Sequence, residues 1–215
     1  MHTKFLLCVL LVVFAFVPAA WSGVVTFTNS GSISIPDSGI ASPYPSTITV
    51  SGVTGTVQQV TVSLLGMSHT YPVDLDILLV GPTGASVILM NDIGGGYDIN
   101  SVNLTFDDAA ANSLPIGSQI TTGTYKPTSN GAAYSFPSPA PSGPYGSLLA
   151  AFAGLDPNGD WKLFVVDDFV QDSGSISGGW QLNLTVEDIP EPATSMLLGG
   201  GLALFFIARR KMRLG

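Results

Sequence analysis

The sequence predicts an all-β domain built as a sandwich of two sheets, and three observations support this fold class. Gly, Pro, Ser and Thr recur every few residues through the middle of the 215-residue chain, as they do in domains with many turns. That middle lacks the 3.6-residue apolar period of a helix. Residues 60–64 alternate apolar and polar side chains, which is the pattern of a strand with one buried face.

The centre of the predicted sandwich is the stretch from residue 60 to residue 90. Residues 75–80 form a near-continuous apolar run, which indicates a strand covered on both faces. Residues 81–84, with the sequence Gly-Pro-Thr-Gly, predict a turn because proline presets φ and glycine accepts a positive φ. The turn leads into a second apolar strand at residues 85–90.

The other elements are assigned in chain order. Residues 24–28 predict an edge strand, and further strands are predicted at 48–50, 102–106, 161–166 and 180–186. Residues 91–98 form a glycine-rich loop, and residues 167–174 form an acidic one. The segment 112–146 has few regular signals, and loops of that length in a compact domain tend to be functional or mobile.

The N-terminus has the pattern of a signal peptide spanning residues 1–22. Lys4 supplies the positive end, residues 5–17 are apolar but too short for a membrane span, and small residues follow at 20–22. We expect signal peptidase to cut after Ser22; an uncleaved anchor is the alternative. The sole cysteine, Cys8, lies in this segment, so the remaining chain has no disulfide, thiolate nucleophile or cysteine metal site.

The C-terminal segment, residues 189–215, has three parts in order. Pro190-Glu191-Pro192 is followed by an apolar stretch at 193–208 and a basic cluster at 209–213. The apolar stretch would form a short transmembrane helix, below the ~20 residues of a comfortable span, with the basic cluster on the cytoplasmic side. This tail resembles the PEP-CTERM sorting signal of Gram-negative bacteria.

That resemblance implies transient insertion in the inner membrane and processing by an exosortase near Pro190, Glu191 and Pro192. It also implies delivery to the cell surface or extracellular matrix, where exopolysaccharide is a typical neighbour. A plain C-terminal membrane anchor is the alternative.

A second set of motifs lies in the predicted sandwich. His69-Thr70-Tyr71, Asp74-Leu75 and Pro82-Thr83-Gly84 are followed by Phe152-Ala153-Gly154, Gly159-Asp160-Trp161 and Trp180-x-Leu182. Their order and spacing over residues 60–186 resemble the P domain (P/Homo B) of proprotein convertases. The resemblance implies a jelly-roll-like antiparallel β-sandwich of the galactose-binding-like type at residues 23–188. It gives structural roles to His69, Thr70, Tyr71, Gly84, Gly159, Trp161 and Trp180.

In convertases this domain stabilises and regulates an attached subtilisin-like protease. The present sequence has no room for one, so we do not transfer a serine endopeptidase activity. A P domain acting in trans on a secreted protease is the alternative function.

Catalytic residues are not predicted. After removal of the signal peptide His69 is the only histidine, and no Gly-x-Ser-x-Gly nucleophile elbow occurs. Asp37-Ser38-Gly39 and Asp172-Ser173-Gly174 echo the aspartic-protease tripeptide, but such an enzyme needs two lobes, and Asp-Ser-Gly is a common turn. A hydrolase of unknown type is the remaining catalytic hypothesis.

A calcium site is the strongest hypothesis for bound chemistry. Asp74 and Asp76 are two residues apart on a predicted strand and would point to one face. Four more aspartates belong to the loops beside them, so the candidate ligands are Asp74, Asp76, Asp92, Asp167, Asp168 and Asp172. Calcium prefers several oxygen ligands in flexible geometry. The alternative is that these are solvated loop charges that keep the protein soluble.

Charge excludes nucleic acid as a partner. Residues 23–188 carry 14 acidic side chains against Lys126 and Lys162, a net charge of about −12. Asp156-x-Asn158-x-Asp160 resembles the start of an EF-hand loop, but Trp161 stands where its glycine belongs, so a turn is predicted.

The favoured function is therefore an exported, non-catalytic module with a binding or scaffolding role. The aromatic residues of the long loop could stack on sugar rings, but packing on the sandwich is the expected use of Tyr125, Tyr134, Phe136 and Tyr145.

Overall fold

The computed structural model describes residues 22–131 and 135–187. The predicted signal peptide and sorting tail, including its hydrophobic helix, lie outside these residues. Within them the chain forms two short 3-10 helices, Pro72–Asp74 and Leu149–Phe152, and none of its helices is long and apolar enough to cross a membrane. The strands are β1 (Ser22–Asn29), β2 (Ile33–Ile35), β3 (Gly39–Ile40), β4 (Ser46–Val50), β5 (Thr56–His69), β6 (Leu75–Val80), β7 (Ser86–Asn91), β8 (Ile99–Phe106), β9 (Gly123–Tyr125), β10 (Thr128–Ser129), β11 (Gly159–Asp167), β12 (Gly174–Ile176) and β13 (Trp180–Glu187).

These strands form two sheets packed face to face, which confirms the predicted all-β sandwich. The first sheet has the order β1-β13-β5-β12-β2, with β8 beside β5 and β9 beside β8. The second has the order β10-β7-β6-β11-β3, with β4 also paired to β11. The short strands β9 and β10 pair in parallel with β8 and β7, so the sheets are mostly rather than wholly antiparallel. The jelly-roll and galactose-binding-like descriptions stay predictions.

Strand β5 runs the length of the first sheet and defines two ends of the domain. Thr56 pairs with Glu187 at its start, and His69 pairs with Gly174 at its end. Because β1 and β13 pair Ser22 with Glu187, the chain enters and leaves the domain at the same end. We call this end the terminal pole and the His69 end the acidic pole. At about 3.3 Å per residue they are roughly 40 Å apart.

The main core lies between the two sheets, and its two largest side chains have satisfied polar groups. Trp161 and Trp180 are both fully buried. The Trp161 indole N–H donates to the carbonyl of Pro157 at 2.9 Å, and that of Trp180 donates to the Ser46 hydroxyl at 3.0 Å. Burying these rings therefore leaves no orphaned donor, consistent with the structural role that the P-domain resemblance implies for them.

A second, smaller apolar cluster covers the outer face of the second sheet. Leu75, Ile77 and Leu79 of β6 point into the main core, whereas Leu78 and Val80 point outward. The outward side chains are covered by residues from neighbouring strands and from the long loop: Ile88, Phe136, Phe164 and Val166, with Tyr44, Ala140 and Tyr145 packed against them. Strand β6 is thus buried on both faces, as its continuous apolar run predicts.

The long loop, residues 112–146, covers the outer face of β6 with its aromatic residues. The ring of Phe136 lies edge-on to Tyr145 at a centroid distance of 5.6 Å, and the Tyr145 hydroxyl donates to the Pro141 carbonyl at 2.8 Å. Tyr125 packs against the main core; Tyr134 lies outside the described residues. Packing on the sandwich is therefore the use made of Tyr125, Phe136 and Tyr145.

Two family-motif glycines occupy positions that a side chain would strain. Gly84 has φ +90° in the turn after β6, and its amide donates to the Gly81 carbonyl at 3.0 Å. Gly159 has φ +122°, and a Cβ there would lie 2.7 Å from the Cβ of Pro82. Asn158 beside it binds both the N–H and the carbonyl of Val53, so this segment is a turn, as predicted, rather than an EF-hand loop.

We expect Phe136→Ala to lower the free energy of unfolding by about 3–5 kcal/mol, because Phe136 is 5% exposed and its loss leaves a cavity under the long loop. The matched control is Phe169→Ala, a loop phenylalanine 61% exposed, which should change stability by less than about 1 kcal/mol. Urea unfolding of both variants measures this. Equal stability losses would show that the long loop does not pack on the sheet.

Candidate cation site

The acidic pole is organised by a hydrogen bond between the two sheets. His69 at the end of β5 and Asp167 at the end of β11 are both fully buried, with 3.0 Å between Nε2 and Oδ2. The Tyr71 N–H donates to His69 Nδ1 at 3.1 Å. Nδ1 is therefore the acceptor, and Nε2 carries the proton that it donates to Asp167. Both ring nitrogens of His69 are therefore engaged in hydrogen bonds within the described domain.

The Asp167 carboxylate points toward its hydrogen-bond partners rather than toward the other carboxylates. Its second oxygen, Oδ1, accepts the Phe169 N–H at 3.1 Å. Burial raises the pKa of Asp167, while the hydrogen bonds from Phe169 and His69 oppose that rise. Since both of its oxygens have partners, Asp167 is a poor candidate for a metal ligand.

The two Asp-Ser-Gly tripeptides are irregular segments that lead into the short strands β3 and β12. The Thr70 hydroxyl donates to Asp172 at 3.0 Å, and the Thr70 N–H donates to the Ser173 carbonyl at 3.4 Å. Asp37 accepts the backbone N–H of Gln171. Asp37 and Asp172 thus bind different groups and do not share a proton as an aspartic-protease pair does.

Asp74 and Asp76 lie at the start of β6 and are the most enclosed of the remaining candidates. The sequence predicts both on one strand; the structure places Asp74 instead at the end of the 3-10 helix Pro72–Asp74 and Asp76 on β6. Their exposed fractions are 9% and 1%. In each, Oδ2 is buried without a hydrogen-bond partner among the described residues. Buried unpaired carboxylate oxygens are rare and costly, which makes Asp74 and Asp76 the most unusual of the candidate residues.

The other oxygen of Asp76 is held by a relay of polar side chains. Asn91 Nδ2 donates to Asp76 Oδ1, and the Ser129 hydroxyl donates to Asn91 Oδ1 at 2.6 Å. Ser129 thereby fixes the orientation of the Asn91 amide, which in turn fixes the carboxylate. Asn91 and Ser129 were not predicted from the sequence. The polar pair Asn91-Asp92 at the end of an apolar strand was the signal for Asn91.

Two further carboxylates flank this pair. The Asp168 N–H donates to the carbonyl of Asp74 at 2.9 Å, so Asp168 is the neighbour of Asp74. Asp92 follows Asn91 directly, has φ +55° and is half-buried. All six aspartates of the sequence-predicted set thus lie in one charged region, but Asp167 and Asp172 accept hydrogen bonds from His69 and Thr70.

Burial and mutual repulsion make these carboxylates hard to ionise. The pKa of Asp76 is raised to about 7, chiefly by burial and then by Asp168, Asp92 and Asp167, against a lowering by Asn91. Burial, followed by Asp167, Asp172, Asp168 and Asp92, raises the pKa of Asp74 to about 6. Burial and Asp168 also raise the pKa of Asp92. Within residues 22–131 and 135–187 no lysine or arginine forms a salt bridge that would offset this repulsion.

The acidic side chains do not by themselves form a complete metal site. Across the described part of the chain, no three His, Cys, Asp or Glu side chains are arranged so that they could hold a metal ion together. A cation bound by Asp74 and Asp76 would therefore need carbonyl, amide or water oxygens as well, a mixed donor set that calcium accepts.

Comparisons with known proteins identify two segments. Residues 57–184 match the family model described as the proprotein convertase P-domain, and residues 188–211 match that of the PEP-CTERM protein-sorting motif. A curated relative, leupeptin-inactivating enzyme 1 of Streptomyces exfoliatus, is 41% identical over 73 residues, which cover 34% of this chain and 16% of that protein.

Two similar solved structures are the serine protease of Aeromonas sobria in complex with a chaperone, and that protease alone. The first has a TM-score of 0.41 at 16% identity and covers 80% of this chain; the second has a TM-score of 0.38 at 15% identity and covers 79%. Each comparison covers 28% of the solved chain. The present chain thus spans less than a third of the length of the Streptomyces enzyme and of the Aeromonas protease.

We expect Asp167→Ala to lower the free energy of unfolding by about 2–5 kcal/mol, because it leaves the buried His69 Nε2–H and the Phe169 N–H without an acceptor. Asp160→Ala, an exposed position at the other end of β11, is the control and should cost less than about 1 kcal/mol. A double-mutant cycle with His69→Ala measures the coupling; strictly additive losses would contradict the pairing.

The metal-free protein should become less stable as the pH rises from 5 to 8. Asp76 and Asp74 keep their protons to about pH 7 and 6 when folded but lose them near 3.8 when unfolded. Their contribution to stability is therefore present in acid and lost through pH 6–7. Thermal melting in EDTA tests this, with Asp76→Asn expected to flatten the curve. A melting temperature that rises over this range would contradict the raised pKa values.

Proposed function

The chain belongs to the proprotein convertase P-domain family and carries a PEP-CTERM sorting motif, and from these two facts we propose an exported binding or scaffolding module of the cell surface or extracellular matrix. The P domain is a non-catalytic domain. The sorting motif implies export and processing by an exosortase. The proposal adds to this a binding role for the acidic pole.

The position of the chain ends favours display of that pole. Strand β13 ends at Glu187, and the match to the sorting motif begins at residue 188. Glu187 lies at the terminal pole, paired with both Ser22 and Thr56. A tail held at an envelope would therefore leave the acidic pole, roughly 40 Å along β5, as the end farthest from its own attachment point.

The observation that carries the proposal is the distribution of exposed apolar side chains. Of the eight large hydrophobic side chains that are exposed in the described residues, six lie in or beside the segments of the acidic pole: Ile40, Tyr71, Tyr97, Ile116, Phe169 and Val170. Exposed apolar residues concentrated in one region are typical of interaction sites. The rings available to stack on a ligand are those of Tyr71, Tyr97 and Phe169, because the aromatic residues of the long loop pack on the sandwich.

The occupant we infer is a neutral or amine-bearing exopolysaccharide. Tyrosine rings offer flat apolar faces to sugar rings and a hydroxyl to their polar edges. A net charge of about −12 over residues 23–188 disfavours strongly anionic polymers. The association of this class of sorting signal with exopolysaccharide points the same way.

The second candidate function follows from family membership. A P domain without catalytic residues can stabilise or regulate a secreted subtilisin-like protease in trans, as P domains do for an attached protease. The same exposed side chains would then contact that protease rather than a glycan.

Binding of the purified chain to exopolysaccharide from the producing cells, measured by co-sedimentation, tests the first proposal. We expect Tyr71→Ala/Tyr97→Ala to weaken binding at least about tenfold, since each stacked ring contributes about 1 kcal/mol or more. Leu148→Ala is the control, because Leu148 is 53% exposed but adjoins the 3-10 helix Leu149–Phe152 near the terminal pole.

Two outcomes would overturn the glycan assignment. Equal binding by wild type and the double variant would remove the acidic pole as the binding face. Absence of glycan binding, together with a longer protease lifetime when the chain is added to a secreted subtilisin-like protease, would establish the second candidate instead.

A further inference from the structure

The most unusual atoms of the described domain are the Oδ2 oxygens of Asp74 and Asp76. Both are buried from water and have no hydrogen-bond donor among the described residues. A carboxylate in this position either keeps a proton or faces a positive group that offsets the loss of water. The two residues are two positions apart in the chain, Asp74 at the end of the 3-10 helix Pro72–Asp74 and Asp76 on β6.

The protein holds these two carboxylates in place with neutral polar groups. Asp76 is oriented by Asn91, which is oriented in turn by the hydroxyl of Ser129. Asp74 sits beside Asp168, whose N–H binds the Asp74 carbonyl. Neutral hydrogen bonds orient the side chains and leave their negative charge uncompensated.

No protein cation is positioned to supply the missing charge within the described domain. Residues 23–188 have only Lys126 and Lys162 as basic side chains, and Lys162 pairs with Thr47 and Val80 toward the other end of the second sheet. In the described structure His69 is committed to Asp167 and Tyr71. When Asp74 and Asp76 are ionised, a compensating positive group would therefore come from outside the described domain, because neither lysine forms a salt bridge within it.

We propose that the acidic pole binds one divalent cation of the calcium type, anchored by Asp74 Oδ2 and Asp76 Oδ2 and completed by backbone carbonyl, side-chain amide and water oxygens. The donors at hand are all oxygens, which suits a hard cation, and the described domain offers no cysteine and no free imidazole nitrogen for zinc. Flexible loop donors suit calcium better than magnesium, which demands a near-ideal octahedron.

The proposed site differs from a general acidic patch because it uses only some of the aspartates in the region. Asp167 and Asp172 belong to the same charged region but are bound by His69 and Thr70, so they take no part in it. The inference is independent of the proposed glycan binding. The cation would, however, lie beside the loop after β11, whose Asp168 N–H donates to the Asp74 carbonyl and which also contains Phe169.

The test is the melting temperature of the purified chain after EDTA treatment, with and without millimolar CaCl₂ at pH 7.5. At a calcium concentration 100 times Kd we expect a rise of about 5–10 °C, because the ion binds the folded state only. Asp76→Asn should raise the melting temperature of the metal-free protein and abolish the rise with calcium. Isothermal titration should give one site per chain in wild type and none in the variant.

Three further variants separate this site from a diffuse effect of the domain's negative charge. Asp74→Asn should also abolish the calcium effect, and it replaces Asp76→Asn if that variant fails to fold. Asp172→Asn should keep most of the effect, and Asp160→Asn, with the same charge change at the far end of β11, should keep all of it. A wild-type melting temperature unchanged by calcium, or a full calcium effect in both anchor variants, would overturn the proposal.

Discussion

The acidic pole depends on one hydrogen bond, that between His69 and Asp167. It connects the end of β5 in one sheet to the end of β11 in the other, in a place where water cannot substitute for either partner. Because Tyr71 occupies the remaining ring nitrogen, the pair also sets the direction in which the chain leaves β5. The loop after β11 starts from the same point, since Asp167 Oδ1 holds the Phe169 N–H. Two loops therefore take their positions from a single buried contact.

The outer face of β6 changes character along its length, and this change separates the scaffold from the site. From Val80 and Leu78 the face is apolar and covered by the long loop. At Asp76 it becomes acidic, and Asp74 follows in the adjoining 3-10 helix, with the chain after β7 beside Asp76 and the chain after β11 beside Asp74. Alternate residues of β6 thus point into the main core. The residues between them form a packing surface at one end of the strand and contribute to the charged cluster at the other. Every residue of β6 is buried, and this arrangement explains how the strand can nevertheless begin beside a cluster of aspartates.

The sequence was sufficient for the fold class and for the two-sided burial of β6, because alternation and apolar runs report local geometry. It was not sufficient to separate Asp167 from Asp168. Adjacent residues on a strand point to opposite faces, and which face meets His69 depends on the register of β11 against its neighbours. The sequence also predicted the position of the long loop but not what it contacts, because the burial of Phe136 depends on tertiary structure.

The short elements escaped prediction for a related reason. β9 and β10 have three and two residues, too few for an alternation to be recognised. Asn91 and Ser129 are 38 residues apart in the chain and meet only because β10 adds in parallel to β7. Contacts of this kind have no local signature, so the polar relay that orients Asp76 becomes visible only in the folded chain.

The shared end of β1 and β13 has a mechanical consequence. A force applied to the chain at Glu187 against a load held at the His69 end acts along the strands rather than across them. β13 is bonded along its length to β1 on one side and to β5 on the other, so its hydrogen bonds are loaded together, in shear. Sequential unzipping would require a pull perpendicular to the strands, which an attachment in line with β13 does not provide. The topology therefore suits a domain that resists a pull applied at Glu187 along the strands.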